Sequence, residues 1–204
     1  MNKIDFKKTL DSYKAKHNQI RIVSVPKMKY LMVDGHGDPN TSKEFSDAME
    51  TLFPVAYTLK FMSKIDLGKD YVVPPPEGLW WSANMDDFIT GNKSNWDWTM
   101  MVMVPDWITD KMYKTAVDKV IKKSNPTSIG KIRFEVYDEG LSVQTLHIGS
   151  YQTEGPIIAE MHNEFVPDNG LQLSKKHHEI YLSDFRKVSP DKLKTIIRHP
   201  VNKL

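Results

Sequence analysis

Segment 177–182 contains one carboxylate, Glu179, within a run of aromatic and branched residues that is typical of a β-strand. Because side chains alternate along a strand, Glu179 shares a face with His177 and Tyr181. A carboxylate that is partly desolvated on such a face has a raised pKa, and it can attract a cation or act as a general base. The residues alone leave two explanations open: a solvated glutamate on a wet sheet face, and a catalytic Glu179 with Tyr181 beside it in a ligand site.

The five tryptophans of the chain all lie between positions 80 and 107, where they offer an aromatic wall for a flat ligand. Trp80 and Trp81 are adjacent on a predicted strand, so one points to the core and the other to the cleft, and the sequence leaves open which. We expect Trp98 and Trp107 to contact the ligand as well. Core packing is an equally good explanation for any single tryptophan.

Further candidates complete the predicted site. Tyr137 and His147 are expected to act as catalytic hydrogen-bond donors, and Tyr57, Glu77 and Met101 to bind the ligand. Simpler explanations stay open: a structural role for His147, a surface position for Glu77, and core filling for Met101. The histidines lack a metal-binding spacing such as His-Glu-x-x-His, so we expect no metal and no cofactor.

The composition excludes several classes of protein. A chain of 204 residues that is 40% hydrophobic can form one large domain or two halves that share a core. The net charge of +2, without a long basic run, argues against a nucleic-acid partner. The absence of cysteine fits a reducing compartment, and neither a signal peptide nor a membrane-spanning stretch is visible. We expect a cytoplasmic protein.

The predicted elements repeat one order, strand, helix and two further strands, in each half of the chain. A helix opens at a capping box formed by Thr41 and Glu44, and Pro54 is expected to bend or split it. Segments 132–137 and 141–148 are predicted to form a hairpin at 138–140. An α+β fold follows, with an N-terminal extension over about 1–25 and modules over about 26–104 and 105–204. The remaining predicted strands are 30–33, 70–73, 77–81, 95–104 and 193–198, and the remaining helices are 105–123 and 155–165.

Several motifs resemble the GyrI-like small-molecule-binding family in its stand-alone form. They occur in the family's order over about residues 29–201, which is almost the whole chain. The N-terminal motifs are Lys29-Tyr30-Leu31, Gly35-His36-Gly37-Asp38-Pro39-Asn40, Ala56-Tyr57-Thr58-Leu59-Lys60-Phe61 and Glu77-Gly78-Leu79-Trp80-Trp81. The C-terminal motifs are Leu146-His147-Ile148-Gly149-Ser150-Tyr151, His177-His178-Glu179-Ile180-Tyr181-Leu182-Ser183-Asp184 and Leu193-Lys194-Thr195-Ile196-Ile197-Arg198.

This resemblance implies a single domain of two modules with pseudo-twofold symmetry and a ligand cleft between them, on the sheet face away from the helices. It implies that Glu179 is the polar group of that cleft, and on this resemblance we predict that Glu179 is catalytic and that Tyr181 lies beside it in the ligand site. Some stand-alone members hydrolyse the cyclopropane ring of DNA-alkylating natural products, which is a detoxification and drug-resistance activity. We expect an aromatic or polycyclic ligand, the same hydrolysis, and a monomer or weak dimer. A non-catalytic drug-binding protein and a gyrase-binding inhibitor stay open as alternatives.

Overall fold

The computed structural model describes residues 2–84 and 91–204, which form an α+β fold around one antiparallel sheet. The helices are α1 (Phe6–Thr9), α2 (Lys43–Asp66), α3 (Asp110–Lys123), α4 (Gly155–Glu160) and α5 (Val166–Asp168), with a π-helical turn at Met161–Phe165 between the last two. The strands are β1 (Arg21–Val25), β2 (Met28–His36), β3 (Pro76–Trp81), β4 (Asp97–Val104), β5 (Arg133–Tyr137), β6 (Gly140–Ile148), β7 (Leu171–Leu173), β8 (His177–Tyr181) and β9 (Lys194–Lys203).

The two halves of the chain meet in the middle of the sheet. The strand order is β1-β6-β9-β8-β3-β4-β2-β5, and β7 pairs with β9 outside this path. At the centre, β3 and β8 are antiparallel neighbours, with Gly78 opposite Glu179. Outward from β3 lie β4 and then β2, and outward from β8 lie β9 and then β6. The α+β prediction is confirmed, and the pseudo-twofold axis stays a prediction.

The hairpin predicted at Asp138-Glu139-Gly140 is wrong. β5 pairs with β2, whereas β6 pairs with β1 and β9, so the two strands lie near opposite ends of the sheet. A connection of only two residues between them requires the sheet to curl until its ends approach each other. Glu139 is 2% exposed and pairs with Arg198 of β9, which holds the connection inside the protein.

Helix α2 continues through Pro54, so the predicted split does not occur, and the alternative of a bend stays a prediction. The side chain of Thr58 donates a hydrogen bond to the Pro54 carbonyl at 2.7 Å. A proline inside a helix costs about 3 kcal/mol. Leu52 and Leu59 are fully buried in the core that α2 shares with β2 and β4, and this burial offsets the cost. The helix is preceded by Ser42 as its N-cap residue.

The two faces of the sheet are covered differently. Helices α2 and α3 pack on the first half of one face, and α4, the π-helical turn and α5 pack on its second half. The N-terminal segment, including Tyr13, packs on the other face. The strand predicted at 70–73 is reduced to a single bridge between Ile4 and Tyr71. Among residues 2–84 and 91–204, no helix combines the length and apolar composition needed to cross a membrane.

Candidate functional site

Glu179 lies on the sheet face that the helices cover. The strand registers place it beside Gly78 and Ile197, and Gly78 in turn lies beside Met100. Met100 and Ile197 belong to the clusters under the helices, whereas Ile180 packs with the N-terminal segment. The predicted cleft position, away from the helices, is therefore wrong for Glu179. Alternation along the strand established which residues share a face, but it could not establish which face the helices would cover.

Two neighbours on β8 hold the Glu179 carboxylate. The Tyr181 hydroxyl donates to Oε2 at 2.8 Å, and Nε2 of His177 lies 3.2 Å from Oε1. Trp80 Nε1 donates in turn to the Tyr181 hydroxyl at 3.0 Å. The side chain of Glu179 keeps 16% of its surface exposed, so solvent reaches it although most of it is enclosed. This arrangement fixes the position of a carboxylate that stays partly accessible to solvent.

The glycine opposite Glu179 makes room for the indole of Trp80. A Cβ at Gly78 would lie 2.7 Å from Trp80 Nε1, which is closer than real Cβ contacts come. Without a side chain at this position, the indole lies over the strand and reaches Tyr181. Phe45 of α2 stacks on Trp80 at 6.2 Å between ring centroids, and Trp96 meets it edge-on at 5.8 Å. The ring is thus held from several sides.

A second carboxyl group, Glu154, faces the charge of Glu179, and sequence reasoning missed it. It precedes α4 and is 3% exposed, and its Oε1 has no hydrogen-bond partner in the described part of the chain. Burial and the negative charge of Glu179 raise the pKa of Glu154 to about 9. At neutral pH, Glu154 is therefore protonated. An acidic residue before a helix is common, and only its burial distinguishes this one.

The turn before Glu154 is fixed by His147 and contributes an aromatic ring to the site. His147 Nε2 lies 3.2 Å from the Ser150 carbonyl oxygen and 3.1 Å from the Thr153 hydroxyl. Burial lowers the pKa of His147. Tyr151 in this turn packs edge-on against Tyr181, with 5.7 Å between ring centroids. Burial, followed by the charges of Glu179 and Glu154, raises the pKa of Tyr151 to about 12.

Comparison with known proteins agrees with this architecture. Residues 18–202 match the GyrI-like small molecule binding domain. The chain belongs to the GyrI-like family. An uncharacterized conserved protein from Listeria innocua is 38% identical over 98% of this chain and 100% of its own, with a TM-score of 0.90. A structure described as a hydrolase from Listeria innocua has the same identity and coverage, with a TM-score of 0.85.

A more distant structure shows the same fold. The EcmrR C-terminal domain is 17% identical over 91% of this chain and 98% of its own, with a TM-score of 0.57. No curated protein matches the chain. As a GyrI-like domain, the chain is a small-molecule-binding domain.

Three other predicted residues of this GyrI-like domain lie on the helix side but have no described contact with Glu179. Trp98 is fully buried, with its ring directly over Gly35. Trp107 donates from Nε1 to the Ser63 hydroxyl at 2.9 Å, near the end of α2. Tyr57 is 48% exposed on α2. The two tryptophans therefore pack in the core, whereas Tyr57 is accessible to solvent.

The remaining predicted residues lie on the opposite face. Met101 and Trp81 pack in the cluster formed with the N-terminal segment, and Lys176 Nζ lies 3.0 Å from the Trp81 ring centroid. Tyr137 packs in the same cluster. Glu77 is fully buried there. The sheet itself separates these four residues from Glu179.

Glu77 belongs to a buried charge network and not to the residues around Glu179. Its carboxylate accepts a hydrogen bond from Tyr13 and lies 2.9 Å from His178 Nε2. His178 Nδ1 lies 2.8 Å from Glu139, which also pairs with Arg198 at 2.8 Å. Burial opposes ionisation of Glu139, but His178 and Arg198 outweigh it and lower the pKa of Glu139 to about 2. The network connects these four side chains inside the protein, away from Glu179, which indicates a structural role.

Proposed function

We propose that this GyrI-like domain binds flat hydrophobic or aromatic molecules beside Glu179 and hydrolyses the cyclopropane ring of DNA-alkylating xenobiotics. The Listeria innocua relative described as a hydrolase supports hydrolytic chemistry, at 38% identity over almost the whole chain. The observation that carries the proposal is a pair of carboxyl groups: Glu179, which solvent reaches and which Tyr181 and His177 hold in place, and the buried Glu154, whose pKa is raised by burial and by the charge of Glu179. Such a pair supplies one base and one acid at neutral pH.

The rings around the pair suit a flat ligand. Tyr181 donates to Glu179, and Tyr151 and Trp80 both contact Tyr181. Stacking of an aromatic ligand on such rings adds roughly 0.5–1.5 kcal/mol per ring pair beyond the burial of its area. A carboxylate beside these rings favours ligands that are cationic or that develop positive charge at the reacting carbon.

In the proposed reaction, Glu179 takes a proton from a water molecule as the water oxygen attacks the cyclopropane methylene carbon. The bond between that carbon and the ring junction breaks, and its electron pair moves into the conjugated dienone. The former carbonyl oxygen becomes a phenolate and receives the proton of Glu154. One water has then been added to the ligand, and the two carboxyl groups exchange protons with solvent to restore the starting state.

The protein has little else to supply, because ring strain and aromatisation drive the reaction. Positioning by the fixed carboxylate and two proton transfers suffice, and each proton transfer is worth about 10²–10⁴-fold in rate. Tyr181 and His177 position Glu179, and His147 positions the turn before Glu154. Of the residues predicted as hydrogen-bond donors, Tyr137 is therefore replaced in this proposal by Glu154.

The test is incubation with a cyclopropane-bearing dienone alkylator, followed by mass spectrometry of the product. The proposal expects the wild-type protein to add one water, Glu179→Gln to lose about 10²–10⁴-fold in kcat, and Glu154→Gln to lose a similar factor. Glu50→Gln, an exposed change on α2, is the matched control and should react like the wild type. Equal turnover by Glu179→Gln and Glu50→Gln would refute the role of Glu179.

A non-catalytic drug-binding protein is the second candidate, and the partly exposed carboxylate of Glu179 near aromatic rings favours it for cationic aromatic ligands. The same experiment separates the two functions. A ligand that binds in proportion to protein but is recovered without added water indicates sequestration. In that outcome, Glu179→Gln should weaken the binding of cationic ligands more than the binding of neutral ones.

A further inference from the structure

Three histidines from separate elements converge on the helix-side face of the sheet. His162 comes from the π-helical turn, His177 from β8 and His199 from β9. One ring nitrogen of each lies within 4.8 Å of the corresponding nitrogens of the other two. The His162 and His199 ring centroids are 4.8 Å apart, and the His177 centroid lies 5.9 Å from that of His199.

Backbone geometry holds the three rings together. The register of β8 and β9 pairs His178 with Arg198, which places His177 and His199 opposite each other on the same face. His162 reaches them from the helix above, within a π-helical turn. Such turns are rare and occur frequently at functional sites, where the extra residue redirects a side chain.

The imidazoles have nitrogen atoms that the protein does not satisfy. Nε2 of His162 and Nδ1 of His199 are buried and have no hydrogen-bond partner among the described residues. A buried polar atom without a partner destabilises the folded protein, and a bound ion would remove this penalty. Burial lowers the pKa of His162 to about 4 and that of His199 to about 3, so both rings are uncharged at neutral pH. An uncharged imidazole with a free lone pair is the form that binds a metal.

His177 has the second contact that metal-binding histidines usually make. Its Nε2 lies 3.2 Å from Oε1 of Glu179, which leaves Nδ1 for the other two rings. In metal sites, the ring nitrogen that does not bind the ion typically donates to a carboxylate, and this contact fixes the tautomer and orientation of the ring. Glu179 would therefore support the site without being a ligand.

We propose that His162, His177 and His199 bind one divalent transition-metal ion of the zinc class. Three imidazole ligands suit Zn²⁺ and its neighbours Co²⁺, Ni²⁺ and Cu²⁺, and exclude a preference for Mg²⁺ or Ca²⁺. Ligands at about 2.0–2.1 Å in a tetrahedron lie roughly 3.3 Å from one another, so the rings close by up to about 1.5 Å on binding. The fourth position stays open to water or ligand.

The linear sequence predicted no metal, because the three histidines are far apart in the chain and match no metal-binding motif. Their proximity arises from the pairing of β8 with β9 and from the placement of the π-helical turn over that pair. The proposal is independent of the proposed hydrolysis, since metal binding is measured without turnover.

The test is calorimetric titration of the full chain, without a histidine tag, with Zn²⁺ and separately with Co²⁺ near pH 7.5. We expect one ion per chain, a Tm that rises with Zn²⁺ and returns to its starting value with a chelator, and visible Co²⁺ absorption bands. His162→Ala and His199→Ala should weaken binding at least 100-fold. His17→Ala, at an exposed position, is the matched control and should bind like the wild type.

The Zn²⁺ affinity of Glu179→Gln is a further readout. Loss of the supporting carboxylate should weaken this affinity about 10–100-fold without abolishing binding, which a purely structural histidine cluster would not show. If an alanine variant does not fold, the proposal is tested by metal titration of His162→Gln and by the Co²⁺ absorption spectrum of the wild type. Absence of Zn²⁺ binding up to millimolar concentration would overturn the proposal. Equal binding by His162→Ala and His17→Ala would overturn it as well.

Discussion

Glu154→Gln should make the protein more stable at neutral pH and should remove one part of the dependence of its stability on pH. Gln has nearly the shape of a protonated Glu, so the substitution keeps the packing of a side chain that is 3% exposed. It removes a group that has to stay protonated in the folded state while the unfolded chain releases the proton. The effect follows directly from the burial of Glu154 beside the charge of Glu179.

The sign and the magnitude follow from linkage. The pKa of Glu154 is 4.5 in the reference state and about 9 in the folded protein, so between these values the folded state binds the extra proton. Stability then falls as pH rises, by about 1.4 kcal/mol per pH unit. Between pH 6 and pH 8, which lies inside this window, Glu154 lowers the free energy of unfolding of the wild type by about 3 kcal/mol. The Glu154→Gln variant does not have this loss.

The assay is urea unfolding of both proteins at several pH values. His162 and His199, whose pKa values are lowered by burial, also make stability depend on pH, but they are common to both proteins and cancel in the difference. Glu160→Gln, an exposed change on the same helix, is the control and should leave the curve unchanged. A difference between Glu154→Gln and the wild type that does not grow from pH 6 to pH 8 would refute the protonated state of Glu154.

Two further predictions concern the buried network and the aromatic ring beside Glu179. Glu139→Gln should lower the free energy of unfolding by about 3–5 kcal/mol, because it leaves Arg198 buried without its charge partner, whereas the exposed neighbour change Asp138→Asn should cost less than about 1 kcal/mol. Similar losses in urea unfolding for the two variants would contradict this. Gly78→Ala should weaken aromatic-ligand binding on the order of tenfold in a fluorescence titration, since the added methyl displaces Trp80. Gly130→Ala, with open space around its Cβ position, is the control, and equal Kd values for the two would show that the Trp80 position is irrelevant.

Local patterns predicted much of the fold, because they depend on side-chain periodicity. The alternation around Glu179 identified β8, and the apolar spacing after Thr41 identified α2. The hairpin at 138–140 failed because turn residues indicate a change of direction but not the partner strand. Pro54 failed to split α2 because burial along the helix outweighs its local cost.

The site was predictable only in part, for a similar reason. Glu179 and Tyr181 could be paired because they lie on one strand, and their hydrogen bond depends on that spacing alone. Glu154 and the histidine cluster depend on how a helix is placed over the sheet, which no short pattern encodes. Tyr137 and Glu77 were assigned to the site because their residue types suit the chemistry, but the sheet separates them from Glu179.

The most direct test of the central claim, that Glu179 activates a water molecule against a strained ring, is turnover of a cyclopropane-bearing alkylator in water labelled with heavy oxygen. We expect the wild-type product to carry one labelled oxygen from the solvent and Glu179→Gln to form almost none of that product in the same time. A labelled product formed equally fast by both proteins, or an alkylator recovered intact from the wild type, would contradict the account.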